Sequence, residues 1–202
     1  MNDAAADRPG QAGRPLDGDE VVICREELAP RARLPYDDAS CDTLVCRQGL
    51  QLSADRGMAV REIRRVLVPG GRALIDVWGR LEHNPGFAAL AGSLERVAGL
   101  PVAAAVHWLC SLPDPADLKA LLAAGGFIDP RVRAITTAAR YRSVTGFLAR
   151  HVPRFPIVAA TSQMTPGQWD RVEADLRSDL SAWIDDEGMT LPAELVVATA
   201  TR

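Results

Sequence analysis

Apolar residues recur along this chain with two periods, and the places where one gives way to the other predict its elements. Val60, Ile63 and Leu67 stand at i, i+3 and i+7, one face of a helix with Arg61, Arg64 and Arg65 turned outward. Ser53 or Asp55 can cap that helix, which is predicted to run to about Val68, because Pro69 cannot continue it. Gly70 and Gly71 can adopt the positive φ of a C-terminal cap. Arg72 to Trp78 then reads as a strand. So does Thr43 to Cys46, which follows the Pro35 and Asp37-Asp38-Ala39-Ser40 turn. Strand, helix and strand in this order predict a right-handed βαβ unit with parallel strands. Val21-Val22-Ile23 is a further candidate strand.

The alternation continues downstream. Asn84-Pro85 opens a helix whose apolar stripe is Phe87, Leu90, Leu94 and Val97. Asp114-Pro115 caps another, with Leu118, Leu121 and Leu122 facing inward and Gly125-Gly126 ending it. Arg131 to Thr137 reads as a strand, and Ser143 caps a short helix to His151. Thr165-Pro166-Gly167-Gln168 has capping-box spacing, and Trp169, Val172, Leu176, Leu180 and Trp183 form a helical stripe. Glu194 to Thr201 closes the pattern as a β-rich segment. The fold class is α/β, with residues 1–19 expected as a disordered lead-in and 20–202 as a domain.

Composition narrows the function classes. A net charge of −3 and a single lysine, Lys119, give no basic stripe, so no nucleic-acid partner is expected. The apolar runs are too short for a membrane span, and Met1 to Gly10 lacks the basic start and apolar stretch of a secretion signal, so a cytoplasmic protein is expected. Cys24, Cys41, Cys46 and Cys110 show no metal or disulfide spacing and read as buried reduced thiols. The carboxylates from Asp170 to Glu187 lack metal-ligand grouping, so no metal is expected. His83 and His151 fall in turns and are expected at the surface.

Four segments together carry a resemblance: LPYDDASCDTLVCRQGLQ, MAVREIRRVLVPGGRALIDVWG, HWLCSLPDPADLKALLAAGGF and LPAELVVATATR. In this order they resemble the fourth strand and its turn, the helix and Pro-Gly-Gly turn into the fifth strand, the helix before the sixth, and the antiparallel seventh of the class I S-adenosylmethionine (SAM)-dependent methyltransferases. The look is closest to the small-molecule group that includes ubiquinone- and menaquinone-biosynthesis enzymes. The resemblance covers about residues 34 to 202.

What it implies is a truncated Rossmann-like sheet, with strands equivalent to 4-5-7-6 and possibly 3, flanked by helices. The family's acid-Gly-x-Gly turn after its first strand, and the acid ending its second, have no counterpart upstream of Leu34. The chain is therefore expected to be N-terminally truncated, and inactive alone unless something rebuilds the cofactor site. Without a first strand, Thr43 to Cys46 is expected as an exposed edge. Val21 to Ile23, a second copy of the chain or a partner subunit would cover it.

The resemblance places SAM against Leu28, Ala29, Arg47, Gln48 and Gly49, with Gln48 the leading contact; its other reading is a polar turn residue. It places a small-molecule acceptor near Trp78, Asn84, Phe87, His107 and Trp108, although helix-to-sheet packing is the leading role for the aromatics, and a cap or core position for His107. Asp76, an acid inside a strand, is a candidate base or else the partner of an arginine or a backbone turn. The rival function is a non-catalytic pseudo-methyltransferase that pairs with a partner subunit.

Overall fold

The computed structural model describes residues 20–24, 33–154 and 156–202. The strands are β1 (Glu20–Cys24), β2 (Cys41–Arg47), β3 (Leu67–Trp78), β4 (Ile128–Tyr141), the two-residue β5 (Ile184–Asp185) and β6 (Gly188–Thr201). The helices are α1 (Arg56–Val66), α2 (Pro85–Ala98), α3 (Leu100–Leu109), α4 (Pro115–Ala124), α5 (Val144–His151), α6 (Ile157–Ala160) and α7 (Pro166–Asp179). The sheet is mixed and ordered β1-β2-β3-β6-β4, with β5 on β6. β1, β2 and β3 are parallel, and β6 runs antiparallel to both β3 and β4.

The expected caps form. Asp55 accepts from Met58 N–H, Asp114 from Ala116 N–H and Ser143 from Gly146 N–H. Thr165 and Gln168 close a reciprocal capping box. α1 and α4 pack Val60, Ile63, Leu118 and Leu122 onto one face of the sheet, against Leu44, Ile75 and Val196. A second cluster joins α2, α3, α5 and α7 around Leu90, Phe147, Val172 and Leu176, and lies against the far halves of β4 and β6.

Three expectations change. The helix stops at Val66 rather than Val68, and Pro69-Gly70-Gly71 is an irregular stretch inside β3, not a helix cap. The reason is hydrogen bonding. Gly70 N–H donates to Arg202 O at 3.3 Å and Arg202 N–H donates to Gly71 O at 2.9 Å, so the turn is tied to the end of β6. The β2 register shifts between Cys41 and Thr43 to accommodate it. Second, Thr43 to Cys46 is covered, and of the expected covers it is the Val21 to Ile23 segment that does so: β1 pairs with it along Glu20 to Cys24 and takes the edge position. Third, His151 is buried at 8% exposure. Val144, Phe147, Leu148 and His151 share the inward face of α5, which carries the histidine in with them. The 1–19 segment lies outside the described residues, and no described helix is long and apolar enough to cross a membrane.

Candidate functional site

β2 ends at Arg47 and the chain turns sharply at Gln48, whose φ of +53 is unusual for a residue with a side chain. The Gln48 N–H donates to Asp76 O at 2.8 Å, which fixes this turn to the neighbouring strand. β3 ends two residues after Asp76, at Trp78. These carboxyl ends, with the far stretch of β4, two residues of β6 and the end of α5, line a cleft of ≈ 490 Å³. Ligands in open α/β sheets bind in this position.

Trp78, Tyr141 and His151 give the cleft an aromatic floor, with Phe87 and Phe147 packed behind it. Trp78 and Phe87 meet edge-to-face at 4.8 Å, Phe87 and His151 at 5.0 Å, and Tyr141 and Phe147 at 5.2 Å. Tyr141 Oη and His151 Nε2 are 3.0 Å apart, a hydroxyl–imidazole pair able to pass a proton. Burial pushes the Tyr141 phenol up, so that it stays protonated. Trp78 is 7% exposed, and its indole Nε1–H is buried without an acceptor. Arg47, Arg140, Arg150 and Arg154 line the cleft, and no carboxylate does so among the described residues.

The sequence-predicted residues divide. Arg47, Gln48 and Trp78 meet at this cleft, and Asn84 and Phe87 border a small void that shares Trp78, Ala139, Tyr141 and Ala193 with it. The Asn84 amide is occupied structurally: Nδ2 donates to Arg80 O and Glu194 O, and Oδ1 accepts from Glu194 N–H. Gly49 is buried at the start of a single 3-10 turn, Leu50–Leu52. His107 and Trp108 end α3 and do not line the cleft; Trp108 borders a separate hollow with Ser53 and Arg56. Leu28 and Ala29 lie outside the described residues.

Asp76 stands behind the cleft, with Oδ2 3.3 Å from Arg47 Nε and its side chain 17% exposed. Burial pushes its carboxyl above the ordinary range, and Arg47 opposes that shift. It is the partner of an arginine, as one of its two sequence readings had it. The residues that sequence reasoning missed are Arg140, Tyr141, Arg150, His151 and Arg154. The signal for the last three was present: His151 closes the α5 stripe, and Arg150 and Arg154 sit four residues apart beside it.

Residues 11–75 match the family model for the methyltransferase domain, a match that begins well upstream of Leu34. Over 134 residues the chain is 31% identical to the demethylmenaquinone methyltransferase of Deinococcus radiodurans, covering 59% of this chain and 53% of that protein. The chain is thus similar to a methyltransferase domain over part of its length, and a distant homologue of that demethylmenaquinone methyltransferase. It spans about half the length of the curated relative it matches. Among solved structures, a Bacillus halodurans protein assigned to the methyltransferases is similar over 84% of this chain and 68% of its own, at 12% identity and a TM-score of 0.49. A SAM-dependent methyltransferase of Thermotoga maritima is similar over 84% of this chain and 60% of its own, at 14% identity and a TM-score of 0.41.

The fit of this methyltransferase relative to SAM is partial on the residues described. The Arg47–Gln48 turn offers donors to a carboxylate-bearing tail, while no described carboxylate in the cleft can receive ribose hydroxyls.

Proposed function

We propose that this chain is a methyltransferase that transfers the SAM methyl group to a small molecule in the cleft over β2 and β3. The observation that carries the reading is the ≈ 490 Å³ cleft at the carboxyl ends of those strands, entered by the left-handed Gln48 turn. The strand path β2-β3-β6-β4 agrees with family strands 4-5-7-6. Methyl transfer from a sulfonium needs chiefly the alignment of nucleophile, methyl and leaving sulfur, and bound SAM supplies the electrophile. In this reading the Arg47–Gln48 turn holds the methionine end, the aromatic floor excludes water, and Tyr141–His151 accepts the proton of a hydroxyl acceptor.

Calorimetric titration of SAM and S-adenosylhomocysteine into the purified 202-residue chain tests it. Saturable binding that Arg47→Ala weakens supports the reading; a folded chain that binds neither ligand refutes it.

A second reading is a non-catalytic pseudo-methyltransferase that pairs with a partner subunit or a second copy. It is favoured by the outer edge of β1, which has no strand beside it among the described residues. A chain that sediments as a monomer at high concentration and retains no partner in pull-downs would exclude it.

A further inference from the structure

The charge around the cleft goes beyond what methyl transfer requires. Three of its arginines, Arg140, Arg150 and Arg154, stand on the wall formed by β4, the end of α5 and the residues just after it, apart from the Arg47–Gln48 turn. Arg47 is matched by Asp76. Among the described residues no carboxylate pairs with the other three. Two of the three are held in place. The Arg150 guanidinium carbon lies 5.9 Å from the centroid of the Tyr141 ring, and Arg154 Nε donates to Arg150 O at 2.8 Å. Like charges gathered at one concavity repel one another unless an anion sits among them.

The rest of the cleft lining includes Ala138, Ala139, Ala193 and Leu195, suited to a flat apolar body rather than a bare ion.

We propose that the Arg140–Arg150–Arg154 wall binds the acid group of a small organic oxyanion, a carboxylate or phosphate on an apolar or aromatic body, and that this is the acceptor class of the cleft. The proposal rests on the cleft being the acceptor site of a methyltransferase. It places the acceptor's acid group on the arginine wall and its body on the aromatic floor.

The test titrates 4-hydroxybenzoate, phenyl phosphate and the neutral 4-hydroxybenzamide into the full chain by calorimetry, with and without S-adenosylhomocysteine. At least one anion binds saturably, and about tenfold or more tighter than the amide, as charge-assisted hydrogen bonds predict. The comparison of carboxylate with phosphate identifies the acid group. The double variant Arg150→Gln/Arg154→Gln, whose side chains are exposed and whose fold is checked by circular dichroism, weakens anion binding by about tenfold or more. Arg133→Gln, an exposed charge elsewhere on β4, leaves it unchanged.

Equal binding of amide and anion, or anion binding indifferent to the double variant, overturns the proposal. So does a double variant that loses S-adenosylhomocysteine as strongly as the anion, because the arginines would then serve the cofactor. Anion binding by a chain that ignores S-adenosylhomocysteine keeps the oxyanion site and removes the methyltransferase reading. S-adenosylhomocysteine binding with no anion binding does the reverse.

Discussion

Arg47 and Asp76 are direct cross-strand neighbours in the parallel β2–β3 pair, and their side chains meet at 3.3 Å behind the cleft. Burial is the larger influence on Asp76 and raises its pKa in the folded chain. A group with a raised folded pKa favours folding in acid and loses that contribution as the pH rises through the folded value. Asp76→Asn, which mimics the protonated acid, is therefore expected to stabilise the chain at neutral pH by up to about 1 kcal/mol. The gain should vanish below the ordinary carboxylate range. Arg47→Ala should destabilise the wild type at neutral pH and have little effect in the Asp76→Asn background. Thermal melts across pH on the four variants measure both terms; an Asp76→Asn effect independent of pH would contradict the assignment.

Glu62 behaves in the opposite sense. Its carboxylate accepts from Arg65 and from Leu34 N–H, and Arg65 also holds Leu34 O, Tyr36 O and Asp38, so one guanidinium fastens residues 34–38 onto α1. The Arg65 hydrogen bond is the largest cause lowering the Glu62 pKa. Its stability contribution is present above the ordinary glutamate value and lost as the pH falls through the folded one. Glu62→Gln should cost about 1 kcal/mol at neutral pH, allowing for solvent screening, and nothing in strong acid. Urea unfolding at the two pH values measures this.

The two glycines after Pro69 should respond differently. Gly70 has a φ of +81 and open space where a Cβ would stand, so Gly70→Ala costs only the left-handed backbone penalty, about 1–2 kcal/mol. Gly70→Asn should recover part of it. At Gly71 a Cβ would meet Val68 O at 2.9 Å and Asp42 O at 3.1 Å, both backbone atoms. Gly71→Ala should cost about 2 kcal/mol or more, and Gly71→Asn should bring no recovery.

Gln51 is fully buried, and neither its Oε1 nor its Nε2 has a partner. Gln51→Met keeps the length of the side chain and removes both unsatisfied atoms. An increase of about 1 kcal/mol is expected, or about 2–4 °C in Tm for a chain of this size. A fall in Tm together with lost ligand binding would show that the amide serves the site.

Where the chain declared itself in advance, one apolar stripe or one cap was enough. Asp55, Asp114, Ser143 and Thr165 cap the helices they were expected to cap, because their side chains satisfy backbone donors within a few residues. α3 was hidden because LPVAAAVHWL is apolar on nearly every side and offers no contrast between faces. β4 extends from Ile128 to Tyr141, past its predicted Arg131 to Thr137, because pairing with β6 holds Ala138 and Ala139 extended despite weak strand propensity. The cleft was half legible. Its floor on β2 and β3 follows from local order in the chain. Its arginine wall depends on β4 and α5 being brought opposite, a long-range pairing that no local pattern encodes.

The position of β6 also has a consequence during synthesis. It lies between β3 and β4, yet the chain order places it after both. On the ribosome, β3 is therefore exposed on one side for on the order of ten seconds before its neighbour emerges. From its own emergence until the end of that interval, β4 has no strand to pair with. A nascent chain in this state presents two unpaired strand edges to its surroundings or to another nascent chain. Its yield in a cell should follow the supply of chaperones that shield strand edges, more closely than the stability of the finished sheet.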